Sequence, residues 1–341
     1  MRDDRGFVPA DVKTTSVLRR VPALGRTRHR AIQAREGDVC LFKLGPTAAP
    51  IIVEAVSGRF MTLVPGDVFL AAPGYRESTR WVVGRVPDGG LVPRADYWVL
   101  ADSGVVGELI GNSPRDKPHL GRVKYLGAVC SKRGTTINIR QFAEKTKLRA
   151  PDRGAPVYLV LGTSSDVGKT TAAMAVLQAL RDKGHDELVA FKATGTSSLD
   201  EIATYRDYGA AHAFDCIDFG LPTTYPSGRD GVSRLFDQAL ATCLSIRSDA
   251  VVIECGGDLF GANVPVFLEC LKRRRSDPKV ILAAPDAAAA LGAKAVLHEM
   301  GLPITVITGP CTDTPTLKER TEALCGISAV NMAEEVGVAA A

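Results

Sequence analysis

The sequence predicts an α/β protein, a mainly parallel sheet with helices on both faces, preceded by a smaller mostly-β domain. Three observations carry this. From residue 157 onward, apolar strand-like runs alternate with helical patterns. At the head of that region, Gly162-Thr-Ser-Ser-Asp-Val-Gly-Lys-Thr-Thr171 joins an apolar run to a helical pattern, the setting of a glycine-rich phosphate-binding loop. Before residue 150, short apolar runs are punctuated by Gly, Pro and Asp turns, which suit a compact sandwich or barrel.

Taken in order, residues 1–35 read as a basic N-terminal arm. Residues 12–35 hold no acid but carry Lys13, Arg19, Arg20, Arg26, Arg28, Arg30 and Arg35, and a solvated arm is the plain expectation. Residues 36–150 form the mostly-β domain, with strands expected in Gly37–Leu44, Pro50–Glu54, Gly66–Ala71, Trp81–Val86, Tyr97–Leu100 and Val123–Val129. A short helix is expected over Asn138–Lys147, then a linker over Ala150–Pro156. Residues 151–341 form the nucleotide-binding domain. Its expected strands are Val157–Leu161, Leu188–Lys192, Ala250–Glu254, Lys279–Ala284 and Ile304–Thr308. Its expected helices are Lys169–Lys183, Val232–Cys243, Pro265–Arg274, Ala287–Met300 and Thr316–Leu324.

The net charge of +4 on 341 residues argues for neither nucleic acid nor membrane surface as a partner. No apolar run reaches membrane-spanning length. Eight cysteines are scattered without a Cys-x-x-Cys pair, so they read as small core hydrophobes in a reducing, cytoplasmic setting rather than as zinc ligands.

The loop from Gly162 through Thr163, Ser164, Ser165, Asp166, Val167, Gly168, Lys169, Thr170 and Thr171 is the expected nucleotide cradle. Backbone amides and the helix N-terminus favour a polyphosphate, Lys169 reaches the outer phosphates, and the Thr170 hydroxyl meets Mg²⁺. Ligands of open parallel sheets gather at the carboxyl ends of the strands. There Glu254 is a metal candidate, and Lys192 is a candidate for a substrate carboxylate or a migrating phosphoryl group. Asp200, Asp207, Asp215 and Asp218 compete for a second metal position. Asp218 is favoured because Cys216–Tyr225 reads as a strand running into a loop. Asp166 is a candidate for orienting the attacking group, with an exposed loop acid as the equal alternative. His212 reads as a packed helix residue, Cys255 as filler, and Asp286 as either a crevice residue or a helix cap. The loop Thr308–Pro315 reads equally as a contact to the base or as a plain turn.

On these motifs the chain resembles the dethiobiotin synthetase and cobyrinic acid synthase group of P-loop enzymes, with the same five-residue spacing between the two loop glycines. Val251-Val-Ile-Glu-Cys-Gly-Gly257 is similar to the strand that carries the group's magnesium glutamate, which maps onto Glu254, and Lys192 falls at its substrate lysine. Cys255 and Ser164 depart from that pattern, and residues 1–150 match neither family. The loop, Ala193-Thr-Gly195 and Val252-Ile-Glu254 also resemble a little-characterised P-loop family linked to N-acylation of D-amino acids. The resemblance implies an ATP- and Mg²⁺-dependent ligase that phosphorylates a small-molecule carboxylate or carbamate for C–N bond formation, in a homodimer. Two alternatives stand beside it: an N-acyltransferase that seats the phosphates of an acyl-CoA, and a partner-regulated P-loop ATPase. No guanine-binding Asn-Lys-x-Asp signature follows the fifth strand, so ATP is the expected nucleotide.

Overall fold

A computed structural model describes residues 6–24, 27–78, 81–114, 120–145, 151–225 and 229–336. Arg26, Lys147, Ala150 and the tail Ala339–Ala341 lie outside the described residues. Two compact units are present. One comprises Met1–Glu144, Thr196–Asp200 and Cys216–Pro226; the other comprises Lys145–Gly195, Glu201–Asp215 and Ser227–Ala341.

The first unit is built from short strands. In chain order they are β1 (Lys13–Thr14), β2 (Arg28–Arg30), β3 (Cys40–Leu44), β4 (Ile51–Glu54), β5 (Phe60–Leu63) and β6 (Val68–Pro73). Then come β7 (Arg76–Glu77), β8 (Val82–Arg85), β9 (Asp96–Ala101), β10 (Val105–Asn112) and β11 (Arg122–Cys130). β4 and β5 form a separate hairpin, and the other nine share one sheet. Antiparallel pairings run β6–β3–β11–β9–β10, and a parallel pairing of β10 with β6 closes the ring. A closed ring leaves those five strands without a free edge. Its interior is apolar. Phe42 lies 6.0 Å from Phe69 and 5.5 Å from Tyr125, and all three are fully buried.

The basic arm is not a solvated tail. Thr15, Ser16, Val17 and Leu18 are buried, β1 pairs with β6, and β2 pairs with β11. Arg19 and Arg20 both hold Asp218, at 2.8 Å and 3.3 Å, and Arg20 also holds Glu144 at 2.7 Å. Lys13, Arg19 and Arg20 thus make ion pairs with residues distant in sequence, which a local reading does not reveal. The helix expected after Asn138 is a single 3-10 turn, Ile139–Phe142.

The second unit carries β12 (Val157–Gly162), β13 (Leu188–Thr194), β14 (Ala210–Asp215), β15 (Ala250–Cys255), β16 (Lys279–Ala283) and β17 (Ile304–Thr308). Every pairing is parallel, in the order β14-β13-β15-β12-β16-β17. All residues of β13 and β15 are buried, as expected for inner strands of a parallel sheet. The helices are α1 (Lys169–Asp182), α2 (Leu199–Asp207), α3 (Arg229–Ser245), α4 (Val264–Lys272), α5 (Ala287–Glu299), α6 (Pro315–Cys325) and α7 (Met332–Glu335). Of these, α2 begins on residues that cluster with the first unit. Local chemistry sets the ends. Asp286 accepts from the amide of Ala289 at 2.8 Å and so caps α5, and Gly326, left-handed at φ 62°, ends α6.

Two elements depart from the expected pattern. His212 stands exposed on β14 rather than packed in a helix, and β14 ends in a 3-10 turn at Cys216–Phe219 where a strand was expected. All eight cysteines are buried and none is in a disulfide; burial pushes the Cys255 thiol well up.

Candidate functional site

β12 delivers the chain to the loop, and Gly162 is its last residue. A Cβ there would lie 2.7 Å from Cγ and Cδ of Lys169 and 2.9 Å from Val167, so the lysine stem lies directly over a position that only glycine fits. Asp166 and Gly168 both take left-handed backbone, at φ 57° and 87°. These two bends turn the chain back onto α1, which starts at Lys169. Asp166 stands exposed at the loop tip. Gly309 backs the loop: a Cβ there would lie 2.6 Å from the Val167 carbonyl. The segment after β17 is therefore packed against the loop.

Among the described residues, the amides of Val167, Gly168, Lys169 and Thr170 have no protein acceptor, and the buried Thr163 hydroxyl has no partner. Lys169 Nζ folds back onto the Ser164 carbonyl at 2.6 Å. Burial pulls the Lys169 pKa below its ordinary value, and Glu254 pulls it back up. Open amides, an ammonium group and the N-terminus of a fourteen-residue helix converge on one concavity. That is the donor set a polyphosphate requires.

Beside the loop lies a buried charge network. Glu254, 2% exposed, accepts from the Thr170 hydroxyl at 3.1 Å and from Tyr205 at 2.5 Å. Lys192 sits opposite Glu254 in the β13–β15 register, with its ammonium 3.6 Å from that carboxylate and hydrogen-bonded to Glu201. Burial alone would lower the Lys192 pKa, but Glu201 and Glu254 hold it above the usual lysine value. Burial raises the Glu201 carboxyl, with Lys192 opposing, and raises the Tyr205 phenol well above its ordinary range. Asp258, after β15, turns back to accept from the amides of Phe260 and Gly261, both at 2.7 Å.

The structure thus brings together Gly162, Lys169, Thr170, Glu254 and Lys192, with Asp166 at the tip. Asp218 is not among them. That residue belongs to the first unit, where two guanidinium groups neutralise its carboxylate, which makes it a poor magnesium ligand. Asp215 ends β14 and is fully buried, while Asp207 ends α2. Lys192, expected to meet a substrate carboxylate, already meets two carboxylates of its own chain. Tyr205 and Glu201 escaped the sequence reading because the short, polar α2 gives no apolar stripe. The available signal was the i, i+4 spacing of Glu201 and Tyr205 on one helix face.

Among the described residues, no cluster of three or more His, Cys, Asp or Glu is arranged to hold a metal. The site nevertheless fits magnesium in the manner of nucleotide sites, where one hydroxyl, one carboxylate, water and the phosphates share the ion. Thr170 and Glu254, 3.1 Å apart, would be that hydroxyl and carboxylate.

No family model matches the chain, and no curated protein matches it. Solved structures do. Cell division protein FtsY from Thermotoga maritima is 20% identical over 56% of this chain and 66% of its own, with a TM-score of 0.36. The signal recognition particle receptor FtsY from Elizabethkingia anophelis, in complex with GDP, is 17% identical over 55% and 57%, with a TM-score of 0.37. The signal recognition particle 54 kDa protein from Aeropyrum pernix K1, also in complex with GDP, is 16% identical over 56% and 44%, with a TM-score of 0.36. The chain thus spans between 44% and 66% of the length of these three proteins.

The expectation of an ATP-dependent small-molecule ligase of the dethiobiotin synthetase kind is corrected at this point. The lysine on which substrate activation depended is committed to internal ion pairs with Glu201 and Glu254. What stands is an α/β unit with a six-stranded parallel sheet and a glycine-rich loop between β12 and α1, together with a separate mostly-β region.

Proposed function

We propose that the second unit is a magnesium-dependent P-loop nucleoside triphosphatase whose turnover is controlled by a macromolecular partner. The carrying observation is the convergence of four acceptor-free amides, Lys169, Thr170 and Glu254 on one loop. The phosphates would displace the Ser164 carbonyl as the partner of Lys169. Thr170 and Glu254 would hold Mg²⁺, which when bound neutralises charge on the transferring phosphoryl group. Water attacks the γ-phosphorus, the bond to the β–γ bridging oxygen breaks, and nucleoside diphosphate and inorganic phosphate leave. Positioning and charge neutralisation carry most of such a reaction.

Partner control is supported by the state of the nearby acids. Glu254 is assigned to the magnesium, and Asp258 is held by two backbone amides. Groups so committed orient an attacking water poorly until the loop after β15 is rearranged. The isolated chain is then a slow hydrolase, with turnover on the order of 10⁻⁴ to 10⁻² per second, as in unstimulated members of this reaction class.

The test is phosphate release from ATP and GTP with Mg²⁺, for the full chain and for Lys169→Ala. Slow hydrolysis that falls at least about 100-fold in the variant, with the circular dichroism unchanged, supports the reading. An unchanged rate in the variant refutes it. Fast turnover of the chain alone refutes partner control.

A further inference from the structure

The first unit contains a cavity of about 270 Å³, walled by Ile51, Val82, Val99 and Leu100, with Arg76, Trp81 and Asp102 as its polar or aromatic members. That volume is just under the usual range of ligand clefts, which restricts an occupant to small molecules. Arg76 is the unusual wall residue. One N–H donates to the Leu100 carbonyl, and the guanidinium lies 5.9 Å from the centre of the Trp81 ring. Among the described residues, no carboxylate lies within ion-pair distance of it, although other part-buried arginines of this unit, Arg19 and Arg20, each hold one. Burial pulls its pKa down, with Tyr225 and Asp102 only partly opposing.

A part-buried guanidinium has five donors in a fork that matches a carboxylate, and leaving it without an anion is unfavourable. The aliphatic walls favour an apolar body beside it. Asp102 lines the same cavity, burial pushing its carboxyl up with Arg76 opposing, and an acidic group at that place makes a dianion a poorer occupant than a single charge.

We infer that this cavity is a binding site for a small monocarboxylate with an apolar body, its carboxylate paired with Arg76 and its body against Ile51, Val82, Val99 and Trp81. The site lies wholly in the first unit and does not depend on the nucleotide reading.

Trp81 is one of two tryptophans, so Trp98→Phe leaves a single emitter in the cavity wall. The full chain carrying that substitution is titrated with benzoate and hexanoate, with benzamide and hexanamide as neutral matches and phenyl phosphate as a dianion. Expected are saturable changes in Trp81 emission with the carboxylates, binding at least tenfold weaker for the amides and for phenyl phosphate, and loss of carboxylate binding in Arg76→Met. Carboxylates that fail to bind at millimolar concentration, or amides or phenyl phosphate that bind as well, overturn the assignment. Those ligand comparisons decide the matter even if the arginine variant does not fold.

Discussion

Replacing Lys192 by Met leaves Glu254 and Glu201 facing each other without a cation. Glu254 is 2% exposed and the Glu201 side chain 27%, so both carboxylates would be partly or wholly dehydrated. Removing one partner of a buried ion pair destabilises by about 3–5 kcal/mol. Glu254 keeps its bonds from Thr170 and Tyr205 and Glu201 keeps some water, so the lower end, about 3 kcal/mol, is expected. For a unit of this size that corresponds to roughly 6–12 °C in melting temperature. Ellipticity at 222 nm is the signal to follow, because the long helices α1, α3 and α5 lie in the second unit. Tryptophan emission reports Trp81 and Trp98 of the first unit and should not move. Adding Glu201→Gln to Lys192→Met removes one orphaned charge and should recover at least about 1 kcal/mol. The raised Lys192 pKa means that its contribution is fully present below the unfolded lysine value and fades only as pH climbs through the higher folded value. A Lys192→Met variant as stable as the parent at pH 7, or a double variant no better than the single one, would show that the lysine is not the counter-ion of this network.

Two further outcomes concern the first unit. Burial raises the Glu36 carboxyl to about 7, with Arg140 at 3.0 Å opposing, so the folded state favours its protonated form. Stability of that unit should therefore decline from about pH 4.5 to pH 7, and Glu36→Gln should flatten that slope in urea titrations followed by tryptophan emission; an unchanged slope contradicts the assignment. Glu54, fully buried on β4, accepts from the Ser198 hydroxyl and from the amides of Leu199 and Asp200, all within 2.9 Å. Glu54→Gln keeps the shape but loses the charge at a helix start, and should destabilise by about 1–2 kcal/mol in the same titration. A change below about 0.3 kcal/mol would rule out the capping role.

The nucleotide loop was legible because its chemistry is local: glycines, lysine and hydroxyls at fixed spacing between a strand and a helix. The inner strands were legible for a related reason, since burial on both faces makes them continuous apolar runs. The outer strand β14 was not, because Ala211 and His212 face water and break that run. Asp218 was misplaced for the opposite reason. Nothing near it in sequence announces Arg19 and Arg20, about two hundred positions away. Glu54 looked like an ordinary strand residue until the fold brought the 198–200 backbone to it. The Arg76 cavity draws on several strands and a hairpin, and no linear pattern encodes it.

The thiols have a practical consequence. Since all eight cysteines are buried and none is in a disulfide, iodoacetamide should meet them only during transient opening. Mass spectrometry of the alkylated peptides would then give a clock for each region: Cys40 and Cys130 time the breathing of the strand ring, while Cys243, Cys255 and Cys270 time that of the nucleotide unit.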